Sequence, residues 1–264
     1  MARPGRIRVG TSGYVYPHWR SRFYPQGLPA REWLAFYARF FDTVELNNTF
    51  YRLPSEKAAR GWADASPEGF LFSVKGSRYL THIKRLKDTE QGLRRFFEAL
   101  APLASRVGPV LWQLPPQMKP DLPRLRDFLQ ALPRRSHFLP VVEARHPDWY
   151  GDALYRLLED EGASLCLQDL VEVPSLPWPP PGRVYYRRFH GVGTRYSGRY
   201  GRAALVPRAD EMSALAQAGV PCFAYFNNDA EGHAISDARD LVRLLGDPAR
   251  GRPESTRFHP PPAV

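Results

Sequence analysis

Eight short apolar runs alternate with stretches of helical periodicity along this chain. They read IRVGTSG, TVELNNTF, FLFSVKG, VLWQLPP, LPVVEARH, SLCLQDL, VYYRRFHG and CFAYFNND, and nearly every one ends in a polar or charged residue. Eight strand–helix units in one α/β chain predict a closed (β/α)₈ barrel, a TIM-like fold whose chemistry is carried by the C-terminal ends of its strands. The polar tips of the runs are therefore the expected site.

The intervening segments supply the helices. Leu93, Phe96, Phe97, Leu100 and Leu103 share one face at three- and four-residue spacing, with Asp88 and Gln91 as an expected capping box. Leu122, Leu125, Phe128, Leu129 and Leu132 repeat the pattern, and Trp33, Tyr37, Phe40 and Phe41 mark the first helix. Shorter helices are expected over 55–65, 153–161, 209–217 and 236–245. No helix is expected between runs six and seven, where PSLPWPPPG (174–182) reads as a stiff barrel loop rather than a domain boundary. At 264 residues the chain is read as one barrel domain over 1–245, followed by a Pro/Arg-rich tail over 246–264 that is expected to be mobile.

No apolar stretch is long enough to span a bilayer and MARPGRIRVG lacks a signal-peptide core, so a cytoplasmic protein with no membrane partner is expected. Cys166 and Cys222 fall within strand runs and are expected to be buried, inert thiols. The net charge of +10 is unevenly spread. Residues 173–209 contain no Asp or Glu but seven Arg, interleaved with Tyr185, Tyr186, Phe189, Tyr196 and Tyr200. A second acid-free window, 69–87, carries Lys75, Arg78, Lys84, Arg85 and Lys87. Cations among aromatics suit phosphate contact and base stacking, so an anionic ligand is expected, with nucleic acid among the candidates. The oligomeric state is not readable.

Strand alternation assigns faces. Phe70, Phe72 and Val74 should meet the helices, while Ser73 and Lys75 face the barrel axis. By the same parity Glu45 goes with Asn47, Glu143 with Arg145, and Arg188 with His190. Gln113 and Asp169 end runs four and six. In CFAYFNND both faces are aromatic, and parity does not decide which of Asn227, Asn228 and Asp229 point inward.

Glu45 and Glu143, on different strands of one barrel mouth, are the expected acid–base pair, with Asp169 and His190 as further catalytic candidates. Substrate is expected to meet Ser12, Asn47, Lys75, Gln113, Arg145, Arg188, Arg195, Tyr196, Asn228 and Asp229. The Gly-rich loop HGVGTRYSGRYG follows strand seven, where barrels of this type often bind phosphate. No P-loop, GxGxxG or GxSxG motif is present. An enzyme acting on a phosphate-bearing substrate is the first reading, with hydrolase and lyase chemistry both open.

Two alternatives remain. A metal-dependent phosphoesterase or isomerase would draw on His82, Glu143, His146, Asp169, His190 and Asp229. No tight HxH pair supports that reading, and Lys75, Arg145 and Arg188 on the same face oppose a divalent metal, so no cofactor is expected. A non-catalytic nucleic-acid or nucleotide-binding protein would need only the basic windows.

Several strings recur as a set: GTSGY with PHW and FYP, TVELNNTFYRLPS, FSVKGSRYLTH, LWQLPP, VEARHPDWY, RFHG followed by YSGRY, and YFNND. Together they resemble the YecE-like family, TIM-barrel proteins catalogued as a domain of unknown function, over residues 7–245. The resemblance implies a barrel with these motifs around one pocket and supplies no reaction. Tyr14 stands where the family usually has Trp, Arg20-Ser21 replaces a small turn, and Asp237 stands where Asn is common.

Overall fold

Eight parallel strands form the barrel wall: β1 (Ile7–Thr11), β2 (Thr43–Leu46), β3 (Leu71–Lys75), β4 (Val107–Gln113), β5 (Leu139–Glu143), β6 (Ser164–Gln168), β7 (Tyr185–Phe189) and β8 (Cys222–Phe226). The computed structural model describes residues 5–133, 138–171, 176–193 and 196–246. Each strand neighbours the next in sequence from β2 to β8, and β8 returns to pair with β1. Ile7 lies opposite Cys222 and Thr11 opposite Phe226 in that last pairing.

The seam between β1 and β2 closes differently. Among the described residues its one ladder contact is a bridge between Ser12 and Glu45. Below that bridge a side chain replaces the missing backbone bonds. The Tyr37 hydroxyl accepts the Thr11 N–H at 2.9 Å and donates to the Thr43 carbonyl at 3.1 Å. Gly10 makes this approach possible, since a Cβ there would lie 2.3 Å from the Thr43 oxygen.

Helices cover the outside: α1 (Trp33–Tyr37), α2 (Asn48–Tyr51), α3 (Glu56–Ala65), α4 (Glu90–Ala99), α5 (Leu122–Gln130), α6 (Asp152–Asp160), α7 (Gly201–Gln217) and α8 (His233–Leu245). Ser55 caps α3 by accepting the Ala58 N–H, and Asp121 caps α5 through Arg124 N–H. As the sequence predicts, no helix lies between β6 and β7 among the described residues. Two details differ. The box expected from Asp88 and Gln91 does not form: Thr89 is the N-cap of α4 and makes no side-chain cap bond, while exposed Asp88 lies 3.8 Å from Lys84. Helix α7 begins eight residues before the expected 209 and contains Pro207, because its first turn is capped by a distant carboxylate described below.

Two apolar layers result. Phe72, Val74 and Trp112 point outward, and Trp112 packs between Phe96 and Phe128 at centroid distances of 5.4 and 4.9 Å. Burying such side chains stabilises the fold by about 1.5–3 kcal/mol each. The lower barrel interior is filled by Leu111, Val141, Cys166, Tyr186, Phe223 and Tyr225. Both Cys166 and Cys222 are free thiols and buried, and burial pushes the Cys222 thiol up to about 12. No described helix is long and apolar enough to cross a membrane. The tail from 247 onward lies outside the described residues.

Candidate functional site

Above the apolar plug, the inward positions switch to charge at the strand ends. Arg188 on β7, Glu45 on β2 and Glu143 on β5 are each at most 1% exposed. One guanidinium joins both carboxylates: Nη2 lies 2.9 Å from Glu45 Oε1, and Nη1 lies 2.9 Å from Glu143 Oε2. Such burial is tolerable only because every charge has partners. Tyr186 donates to Glu45 Oε2 at 2.6 Å and is itself 2.7 Å from Ser73 Oγ. Glu143 also receives Gln113 Nε2 at 2.7 Å and Arg145 Nη2 at 2.8 Å.

Burial is the largest single influence and opposes ionisation of both glutamates, but Arg188 and their other donors together outweigh it. With Tyr186, Arg188 holds Glu45 below the usual carboxylate range, and with Arg145 it holds Glu143 well below. The two groups expected to trade protons are instead fixed as anions, with donors on every oxygen. Their contacts hold Arg188 and Arg145 in place.

His190 sits against the same cluster, with Nε2 3.3 Å from Glu143 Oε1 and Nδ1 3.2 Å from Asn227 Nδ2. Burial, then Arg188, keeps its imidazole neutral by lowering its pKa. Arg145 Nη2 also lies 3.2 Å from the same Nε2.

A cavity of about 430 Å³ opens over this layer, lined by the polar residues Lys75, Arg188, His18, Asp229, Asn47 and Asn227 and by the rings of Tyr16, Tyr51 and Tyr196. Lys75 Nζ lies 4.3 Å above the Phe50 ring centroid. Burial and then Arg188 draw its pKa down to about 8. Two buried polar atoms of lining residues, Asn47 Oδ1 and Arg188 Nε, have neither a hydrogen-bond nor an ion-pair partner. Unpaired buried polar atoms are costly, and a bound ligand is one way to satisfy them. A larger depression of about 910 Å³ lies outside the barrel against α4 and α5. Its three cations, Lys84, Lys87 and Arg124, are outnumbered by Asp88, Glu90, Asp121 and Asp127, so it carries no positive excess.

At the rim, Asp229 accepts the Trp19 indole N–H at 2.9 Å on Oδ1, and Oδ2 lies 2.9 Å from His18 Nε2. Burial dominates and raises the Asp229 pKa to about 6, against the opposing pull of Trp19 and His18. Among the described residues no three His, Cys, Asp or Glu side chains converge as a metal requires.

The geometry thus brings Ser12, Glu45, Asn47, Lys75, Gln113, Glu143, Arg145, Arg188, His190, Tyr196 and Asp229 to one end of the barrel. Two expected residues do work elsewhere. Asn228 turns from the cavity and donates to Gly198 O at 2.9 Å and Asp237 Oδ2 at 2.8 Å, while its neighbour Asn227 lines the pocket. Asp169 accepts the His190 backbone N–H at 3.0 Å and the Tyr200 hydroxyl, fastening β6 to the loop after β7. Arg195 lies outside the described residues. Arg199, expected at a free basic rim, is engaged by Asp240 at 2.7 Å and Asp237 at 3.5 Å.

Sequence reasoning missed His18, Trp19 and Tyr16, although PHW was a visible string, and it missed Tyr186. Parity would have found Tyr186, which shares the face of Arg188 and His190.

Relatives place this architecture. The chain is 32% identical over 139 residues to UPF0759 protein YecE of Escherichia coli (strain K12), a match spanning half of each chain. It is 23% identical to UPF0759 protein YunF of Bacillus subtilis (strain 168) over 90% of this chain and 94% of that protein. The crystal structure of a DUF72 family protein from Thermotoga maritima superposes with a TM-score of 0.80 at 26% identity, covering 92% of this chain and 100% of that one. The family described as "Protein of unknown function DUF72" matches residues 8–261, and the chain belongs to it.

Proposed function

We propose that this chain is an enzyme acting on a phosphate-bearing substrate held in the cavity at the C-terminal end of the barrel. The observation that supports this best is the charge pattern around Lys75. Glu45 and Glu143 are committed to Arg188 and Arg145, and the third carboxylate of the cavity, Asp229, is held by Trp19 and His18, so Lys75 stands at the cavity wall with no carboxylate of its own. An anion supplies that partner, with Lys75 and Arg188 as its contacts. Proton transfer falls to the Asp229–His18 pair, whose carboxyl is poised near neutral pH, rather than to the two glutamates. Tyr16, Tyr51 and Tyr196 offer flat faces to a planar group. A cavity of this size suits one nucleotide-sized ligand.

Calorimetric titration with inorganic phosphate and with a mononucleotide tests the reading. Binding should weaken as NaCl rises. Lys75→Met should cost about 1.5–3 kcal/mol, roughly 10- to 100-fold, as expected for a lost charged hydrogen bond. No heat from either ligand at low salt would sink it.

A polymeric substrate is the second reading. Tyr51 and Tyr196 of the cavity are 72% and 43% exposed, and the segment after β3 exposes Tyr79, at 46%, with Arg78 and Arg85. Rings and cations in this arrangement suit the end of a single nucleic-acid strand. A short oligonucleotide should then outcompete the mononucleotide, with a steeper salt dependence.

A further inference from the structure

We infer that Lys75 is a nucleophilic amine whose Nζ adds to an aldehyde or ketone carbon of the substrate and forms an imine. The inference rests on the reading of the cavity as an anion site and extends it from binding to bond formation.

The choice of residue type is the first argument. Of the chain's 37 basic side chains only five are lysine: Lys57, Lys75, Lys84, Lys87 and Lys119. The other four are exposed or half-buried outside the cavity lining. The remaining positive charges of the site are arginines, Arg145 and Arg188. A guanidinium stays protonated and cannot add to a carbonyl, whereas an amine can. A site that needed only fixed charge would be served by arginine at 75 as well.

The surroundings supply the second argument. Among the described residues no carboxylate lies within ion-pair distance of Lys75 Nζ, because both nearby glutamates are engaged by Arg188 and Arg145. The amine rests instead on Phe50. A cation is stabilised weakly there compared with water or a carboxylate, and a neighbouring guanidinium penalises it further. With a pKa of about 8, roughly a tenth of Lys75 is free base at neutral pH, against fewer than about one in a thousand for an ordinary lysine. The strand end beneath it is fixed, since buried Thr49 donates to the Lys75 carbonyl at 2.7 Å.

The step balances without a further reactant. The Nζ lone pair forms the C–N bond while the carbonyl π pair moves to oxygen. That oxygen takes a proton, the C–O bond breaks, and the nitrogen pair closes C=N. Both hydrogens of the neutral amine leave in the water released. Asp229 and His18, which line the same cavity, can relay those protons.

Pyridoxal 5′-phosphate, an aldehyde bearing a phosphate, is the probe, with pyridoxal as its phosphate-free control. Each is mixed with the wild-type protein, reduced with borohydride and mapped by peptide mass. The four other lysines are internal standards for ordinary amines. Lys75 should be labelled at least about tenfold ahead of them at neutral pH, with a midpoint near pH 8, and inorganic phosphate should slow it. Lys75→Arg should remove that adduct alone, leaving the background labelling of the other four lysines unchanged. Phosphate binding without preferential labelling of Lys75 would overturn the amine and leave the anion site standing. Labelling of Lys75 that is equally fast with pyridoxal and indifferent to phosphate would support the amine and overturn the anion site.

Discussion

Glu45 and Glu143 lie on strands three apart, yet they share one counter-ion, each with an oxygen 2.9 Å from a different nitrogen of Arg188. Arg188→Met leaves two buried carboxylates facing each other with their common cation gone. Removing one partner of a buried ion pair costs about 3–5 kcal/mol. The sign of the pH dependence follows from both pKa values lying below the ordinary range. In the wild type their stabilisation is present above that range and is lost as pH falls below it. In Arg188→Met the carboxylates gain by protonating, so the deficit should shrink on going from pH 7 to about pH 4. Urea denaturation of both proteins at the two pH values checks this; a deficit that grows with acid contradicts it.

The barrel seam makes a second prediction. Tyr37→Phe keeps the ring but leaves the buried Thr11 N–H and Thr43 carbonyl without their shared partner. Unsatisfied buried groups cost about 1–3 kcal/mol each. The Thr11 amide should lose hydrogen-exchange protection while amides of β4 and β5 keep theirs, because the opening is confined to the seam. Uniform loss across all strands would mean that Tyr37 acts through general packing.

The barrel was legible because its signal is periodic: eight runs with polar ends are hard to fold otherwise. The inner positions of β2, β3, β5 and β7 followed from parity, and parity put Glu45, Lys75, Glu143 and Arg188 on one face. What parity cannot give is which charge meets which. Glu143 was expected on the face of Arg145, and it meets Arg145, but its deeper partner is Arg188, two strands away on β7. The Asp229–His18 contact joins residues 211 positions apart through a short 3₁₀ turn at Pro17–Trp19, which carries no strand or helix periodicity. In β8, aromatics on both faces hid the parity that separates Asn227 from Asn228.

Asp229 predicts a pH dependence of opposite sign to that of the glutamates. Its pKa is raised to about 6, so the folded state favours the protonated acid. That contribution is complete below the unfolded value of about 4 and is lost as pH rises through 6. Asp229→Asn keeps an oxygen for the Trp19 N–H and cannot ionise. Relative to the wild type, the variant should therefore gain stability as pH rises from about 4 to 6 and hold a constant margin above that. Thermal denaturation across this window is the measurement, and parallel curves would place the titration elsewhere.

The final prediction concerns Asp237, a fully buried carboxylate on α8. It accepts the N–H groups of Tyr200 at 3.0 Å and Gly201 at 3.1 Å, capping α7 from another helix, and it accepts Asn228 Nδ2 at 2.8 Å. This one side chain therefore ties α7, the end of β8 and the loop after β7 that brings Tyr196 to the cavity. Asp237→Ala removes the acceptor from one buried and two part-buried donors and should cost about 1–3 kcal/mol. Amides 196–201 should exchange faster, since they lose their anchor, while the strands keep their protection. Asp237→Asn should be milder. It retains one acceptor oxygen, and its new amide can donate to Asn228 Oδ1, which now has no partner, if the Asn228 amide turns over. If Asp237→Asn matched Asp237→Ala in both stability and exchange, the negative charge itself, and not the acceptor geometry, would be what holds the loop.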